Sequence, residues 1–214
     1  MKYHKIDSIF KRNKQGALLW SDWSTPEFDY LKDLSWRFDE KIDGTNLRIE
    51  VHANRKVRIG GRTDDAQLST VLFEFLQDEF LDNAALLGQF PDGGILYGEG
   101  LDPQNKSATP YCPDGKCAFV LFDVRVVNWW LKREAVEKVG QTLELPVAPI
   151  VSYGTIAQAI DITRTGFNSA WGDFPAEGLV LRPAVDLFDR GGNRIITKIK
   201  TRDFKNVVYD TPTA

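Results

Sequence analysis

Glu40-Lys41-Ile42-Asp43-Gly44-Thr45-Asn46 is the stretch on which the reading of this chain turns. An alternating apolar run precedes it (Leu34, Trp36, Phe38) and another follows it (Leu47, Ile49, Val51). Such alternation predicts strands with one buried face. Asp-Gly is a favoured hairpin pair, so the spacing predicts two strands joined by a tight turn at Asp43-Gly44, with Lys41 held at the end of the first. A lysine beside a turn carries little information alone. Taken alone, a plain hairpin with a solvated lysine is the better account of these seven residues, and the rest of the chain has to decide.

The chain has 214 residues, 43% of them hydrophobic and 12% aromatic, which suits a packed core and a single domain over residues 1–214. Its net charge of −3 excludes a uniformly basic nucleic-acid-coating protein; a polyanion would have to be met by local clusters. No long uncharged apolar run and no apolar N-terminal segment is present, so neither a membrane span nor a secretory signal is expected. An intracellular, cytoplasmic monomer is the expectation. The two cysteines, Cys112 and Cys117, flank Pro113-Asp114-Gly115-Lys116. They read as free thiols on a turn, because a zinc site needs about four ligands and only His4 and His52 could add to them.

Residues 1–35 are mixed, and the charges of Lys2, Lys5, Lys11, Arg12 and Lys14 read as a solvated face, with a loop around Pro26. Lys56–Ile59 alternates as a short strand broken by Gly60-Gly61. Leu68, Val71, Leu72, Phe75 and Leu76 fall on one helical face, with Asp64 or Asp65 as the expected cap and an end by Gly88. Ile95–Gly98 is a short strand before a long loop, and 118–127 is a strand apolar on both faces until Asp123. A helix over 128–139 is expected to stop at Gly140, followed by a strand over 146–153 and a short helix over 155–162. Glu177–Arg182 and Arg194–Lys200 are the last strands. The sum is an α+β domain with twisted, mainly antiparallel sheets flanked by helices.

Polar residues collect at the ends of these strands: Lys41, Asp43 and Asn46, then Arg62, Glu99, Asp123, Glu177, and finally Lys198 with Lys200. Any one of them could be an ordinary edge residue. As a set, cations beside carboxylates suit a nucleoside triphosphate with a hard divalent metal. Lys198 and Lys200 alternate, so both ammonium groups project from one side of their strand, into a cleft or into solvent. Lys41 could clamp phosphate or act as a nucleophile. A nucleophilic lysine must be neutral, whereas an ammonium group ordinarily loses its proton only near about pH 10.4; burial and neighbouring positive charge ease that loss.

Glu40–Asn46 resembles motif I of the covalent nucleotidyltransferases, Lys-x-Asp-Gly, in the form seen in ATP-dependent RNA ligases. Gly61-Arg62-Thr63 is similar to motif Ia, Leu96–Glu99 to motif III, Phe119–Asp123 to motif IIIa, Glu177–Val180 to motif IV and Lys198-Ile199-Lys200 to motif V. Each motif is short, but six occur in order from residue 40 to residue 200. The branch most resembled is the T-even phage RNA ligase 2 type. The resemblance implies an ATP-grasp-like nucleotidyltransferase domain with a nucleotide cleft between its sheets. It implies that Lys41 takes AMP from ATP as a phosphoramide, passes it to an RNA 5′-phosphate and seals that end to a 3′-hydroxyl.

By the same resemblance Glu99 bonds the ribose hydroxyls and Phe122 stacks on adenine, with Phe119 as the alternative because the strand register is open. Glu40, Ile42 and Asn46 line the nucleotide site, and Arg62 contacts phosphate or the ribose end of the nick. Asp43 and Glu177 hold waters on Mg2+ (or Mn2+), and Lys198 and Lys200 neutralise the α-phosphate. The expected partners are RNA ends in a nicked duplex or annealed RNA, with a helper protein where RNA binding needs more surface. No C-terminal OB or helical domain is expected after the motif V match. The basic groups Arg55, Lys56 and Arg58, and Arg190, Arg194, Arg202 and Lys205, either track phosphates or are solvated strand ends. The competing readings are a DNA-nick ligase or a GTP-using capping enzyme, and a non-catalytic module that binds a nucleotide or RNA end.

Overall fold

The computed structural model describes residues 1–204; Lys205, one of the basic residues named above, lies outside them. In chain order the elements are strands β1 (Asp7–Ser8), β2 (Phe10–Arg12) and β3 (Leu18–Trp23), helix α1 (Pro26–Tyr30), and strands β4 (Trp36–Glu40), β5 (Thr45–Val51) and β6 (Val57–Gly61). Helices α2 (Thr70–Phe80) and α3 (Ala84–Gln89) follow, then strands β7 (Gly94–Leu101), β8 (Ala118–Val126) and β9 (Trp129–Trp130). The remaining elements are α4 (Arg133–Thr142), β10 (Ile150–Gly154), α5 (Ile156–Thr165), β11 (Gly178–Pro183) and β12 (Thr197–Lys200). The fold is α+β, and its named strands pair antiparallel except β1 with β12.

The expected hairpin at Asp43-Gly44 does not form. β4 and β5 belong to different sheets, because their apolar faces serve different cores. Gly44 is needed for close approach rather than for a turn: a Cβ there would lie 2.5 Å from the Gly100 carbonyl oxygen. The chain divides into two units.

The first unit holds Met1–His4 and Ile42–Ala148. Its sheet runs β6-β5-β7-β8-β9. Leu47, Ile49 and Val51 of β5 and Leu96 of β7 pack on one face against Leu72, Leu76 and Phe80 of α2, whose spacing of four puts them on one side of the helix. The cap of α2 is Ser69, whose hydroxyl accepts from the Leu72 amide, and not Asp64 or Asp65. Asp64 is bonded to Arg48 instead. α2 stops before Asn83, which caps α3 in turn. Gly140 lies inside α4 and does not end it; a Cβ there would meet Val147 at 2.5 Å, so a small residue is what lets α4 pack. Cys112 and Cys117 are free thiols whose pKa values are both raised, chiefly by burial.

The second unit holds Lys5–Lys41 and the described residues from Pro149 onward. Its sheet runs β1-β12-β11-β4-β10, so β4 is flanked on both edges. Trp36 and Phe38 of β4, Leu179 and Leu181 of β11 and Ile199 of β12 share one buried face with Ile156 and Ala159 of α5. Thr155 starts α5 with a capping box through Gln158. Pro26, expected in a loop, is at the first turn of the short helix α1, where its missing N–H costs nothing. Among the described residues no helix is long and apolar enough to cross a membrane.

Candidate active site

Lys41 follows directly on β4, and its backbone amide donates to the Gly178 carbonyl at 2.9 Å. Odd-numbered residues of β4 face away from the core, so Lys41 shares a face with Asp39 and, across the sheet, with Val180 and Lys198. Its Nζ lies 2.5 Å from Glu177 Oε2. Lys200 Nζ lies 2.5 Å from the other oxygen, Oε1. One carboxylate thus bridges two ammonium groups, with the Glu177 side chain 8% exposed and the lysines 19% and 16%. Gly178 makes this fit possible: opposite Lys200 in the register, it would place a Cβ 2.1 Å from the Ile199 carbonyl oxygen.

Lys198 stands one alternation away on the same face of β12, half buried. It is not on a solvated face. Its pKa is lowered, first by burial and then by the positive charges of Lys41 and Lys200, against which Glu177 pulls the other way. Lys41, Glu177 and the Lys198–Lys200 pair, from three separate stretches of the sequence, are therefore brought together within one unit. Such a set of ammonium groups around a single bridging carboxylate is built to receive further negative charge.

Glu40 points the other way. Its carboxylate is on the core face, 2% exposed, and accepts from the Ser169 hydroxyl at 2.5 Å and the Ala170 amide at 2.9 Å. It fixes the 169–171 loop instead of joining the Lys41 cluster.

In the first unit the sheet face opposite the core carries Asn46, Glu99 and Phe122, while Ile42, Asp43 and Arg62 lie just outside the strands. Asn46, Glu99 and Val120 form one cross-strand row. Asn46, Glu99, Asp43 and Phe122 are half buried, Ile42 is buried, and Arg62 is exposed just past β6. The open register of β8 is resolved by a bulge. Gly98 pairs with Leu121 and Tyr97 with Asp123, which leaves Phe122 as the extra residue. Phe119 lies in the core, 1% exposed and packed on Phe80; Phe122 is on the opposite face, and the bulge turns Asp123 to that face as well. Tyr3 meets Phe122 edge-on at 5.2 Å and donates its hydroxyl to Asp123 at 2.8 Å.

Sequence reasoning did not find the buried ion network beside this row, where Arg48 pairs with Glu50 at 3.0 Å and with Asp64. Arg48 and Glu50 alternate with Asn46 in β5, and that alternation is the signal that could have found them. Of the basic groups, Arg194 is 8% exposed and so not a solvated end, whereas Arg55, Lys56, Arg58, Arg190 and Arg202 are exposed. Among the described residues no group of three or more Asp, Glu, His or Cys side chains could hold a metal ion by itself.

The chain matches the model of the RNA ligase family over residues 34–200. It belongs to the RNA ligase family. An RNA ligase of Naegleria gruberi, solved as a mutant with ATP and Mn, superposes with a TM-score of 0.66 at 14% identity, over 94% of this chain and 56% of that one. An archaeal ATP-dependent RNA ligase gives 0.62 at 18% identity, over 95% of this chain and 49% of that one. At these identities the likeness establishes a shared fold. The chain spans about half the length of these solved ligases. A comparison with curated protein sequences gives no match.

Proposed function

We propose that this member of the RNA ligase family is an ATP-dependent RNA ligase that works through a covalent lysyl-AMP at Lys41. The observation that carries the reading is the Glu177 carboxylate bridging Lys41 and Lys200 at 2.5 Å each, with half-buried Lys198 alongside. In the first step the neutral Lys41 amine attacks the α-phosphorus of ATP. A nitrogen–phosphorus bond forms, the bond to the oxygen shared with the β-phosphate breaks, and pyrophosphate leaves with that oxygen. The surplus proton on nitrogen passes to solvent. In the second step an oxygen of an RNA 5′-phosphate attacks the same phosphorus, the nitrogen–phosphorus bond breaks and Lys41 regains a proton. In the third a 3′-hydroxyl attacks the activated 5′-phosphate, AMP departs and the hydroxyl proton is lost.

Lys198 and Lys200 act by offsetting the charge that builds on the α-phosphate. Glu177 keeps the Lys41 side chain placed. Glu40 acts at one remove, through the 169–171 loop. Phe122 offers its ring to adenine, Glu99 accepts from the ribose hydroxyls, Ile42 and Asn46 line the nucleoside, and Arg62 meets phosphate. Asp43 and Glu177 would hold a magnesium or manganese ion through its waters, and that ion would supply charge neutralisation at the phosphates.

The test is incubation with α-labelled ATP and a divalent cation, followed by denaturing electrophoresis. A labelled band that is absent in Lys41→Ala and chased off by pyrophosphate is the expected result. A band that persists in Lys41→Ala, or label from GTP in place of ATP, would overturn the assignment.

A further inference from the structure

The segment before residue 34 lies outside the stretch that matches the family, yet it borders the strand that carries Lys198 and Lys200. β1 is the parallel neighbour of β12, with Ser8 opposite Lys198. The Ile9 amide donates to the Lys198 carbonyl at 3.1 Å, and the Thr197 hydroxyl donates to the Asp7 carbonyl at 3.0 Å. Beyond it, Arg12 of β2 reaches across to the turn that follows β12. Its guanidinium donates to both oxygens of Asp203, at 3.0 and 2.8 Å. Two further N–H groups donate to Ser8 Oγ at 2.9 Å and the Gly16 carbonyl at 2.7 Å, so the fork is held from three sides. Asp203, with its side chain 5% exposed, also accepts from the Lys200 amide at 3.2 Å. The hairpin is held on the same turn by Trp20 against Phe204, at 5.0 Å between rings.

A fork-to-fork arginine–carboxylate pair is the most geometrically restrictive ion pair a protein makes. Here its carboxylate end is bonded to the backbone of Lys200. The whole arrangement fixes the edge and the C-terminal end of β12. We infer that the N-terminal hairpin is a positioning element for Lys198 and Lys200, acting through the Arg12–Asp203 pair. The inference rests on the role proposed above for those two lysines. Arg12 and Asp203 are positioning residues, since their pair acts on β12 through the Lys200 backbone.

The experiment measures the rate of covalent labelling from α-labelled ATP as a function of ATP, together with the melting temperature, for the full chain and four variants. Arg12→Ala and Asp203→Ala should slow labelling at saturating ATP by roughly tenfold to a hundredfold, the scale of a misplaced catalytic contact. Their KM for ATP should move far less. Arg12→Lys keeps one charge-assisted bond but not the fork, and should recover part of the rate. Lys11→Ala is the control. It breaks the exposed Lys11–Asp22 pair on the same hairpin, 2.7 Å long, without touching β12, and should label at the normal rate. Unchanged rates in Arg12→Ala and Arg12→Lys would overturn the inference, as would an equal loss in Lys11→Ala. If the unaltered chain takes no label, the reading of Lys41 fails first and the inference with it.

Discussion

At the scale of single residues, the cluster around Glu177 is unbalanced by design. Three ammonium groups, of Lys41, Lys198 and Lys200, share the charge of the one carboxylate that bridges two of them. Removing that carboxylate should cost more than its two bonds, because it leaves like charges facing each other. Glu177→Gln should lower stability by about 3 kcal/mol, the low end of what is expected for a charge left without its partner in a mostly buried site. Lys198→Met should act in the opposite sense and raise the melting temperature while slowing adenylylation, as is common where a site is strained for function. The two should couple: in the Lys198→Met background the Glu177→Gln loss should shrink by about 1 kcal/mol in chemical denaturation. Strict additivity would sink this account. The pH dependence has a definite sign. With the Lys198 pKa lowered in the folded chain, the unfolded chain holds that proton to higher pH. Stability should therefore rise as pH climbs from the folded pKa toward about 10.4, and Lys198→Met should flatten that limb relative to the unaltered chain.

At the scale of elements, β8 holds the sharpest contrast between what sequence reveals and what it conceals. The strand itself is plain in the apolar run over 118–127, and so is the Lys-x-Lys alternation of β12. The choice between Phe119 and Phe122 is not, because the run is apolar on both faces and which face meets the core depends on the tertiary packing. The Asp-Gly turn misleads for a related reason: Gly44 is demanded by the backbone of β7, a contact no local pattern encodes. Ser69 outranks Asp64 as a cap because Arg48, in another strand, claims the carboxylate. Arg12 and Asp203 are 191 residues apart, beyond any motif.

The bulge yields a direct test. Phe119→Ala should cost about 3–5 kcal/mol of stability, as for other large truncations in a core. Phe122→Leu should cost under about 1 kcal/mol but raise the KM for ATP roughly tenfold, given that base–aromatic stacking contributes about 1–3 kcal/mol. Equal effects on stability would show that the two rings do not face opposite ways. Helix α5 offers a local check on capping: Thr155→Ala should cost about 1 kcal/mol, read as a lower melting temperature, by removing both halves of the box with Gln158.

At the scale of the whole molecule, the two units differ in how the chain assembles them. The first draws its five-stranded sheet and its three helices from one continuous stretch, Ile42–Ala148, plus the four N-terminal residues. The second has no continuous source. Its sheet sets β4 between β10 and β11, so the strand that carries Trp36 and Phe38 into the core comes from residues more than a hundred positions before its neighbours. Closing such a loop costs conformational entropy before any contact repays it, whereas the first unit pairs strands that all come from one continuous stretch. A fragment of residues 42–148 should therefore fold alone, with a cooperative thermal transition by circular dichroism. It should melt below the full chain, since it lacks the Tyr3 hydroxyl on Asp123 and the N-terminal ammonium on Glu50. A fragment of residues 149–214 should stay unfolded by itself and gain strand signal only when residues 5–41 are supplied. Cooperative folding of 149–214 alone, or none in 42–148, would show that the division of the core does not govern how the chain folds.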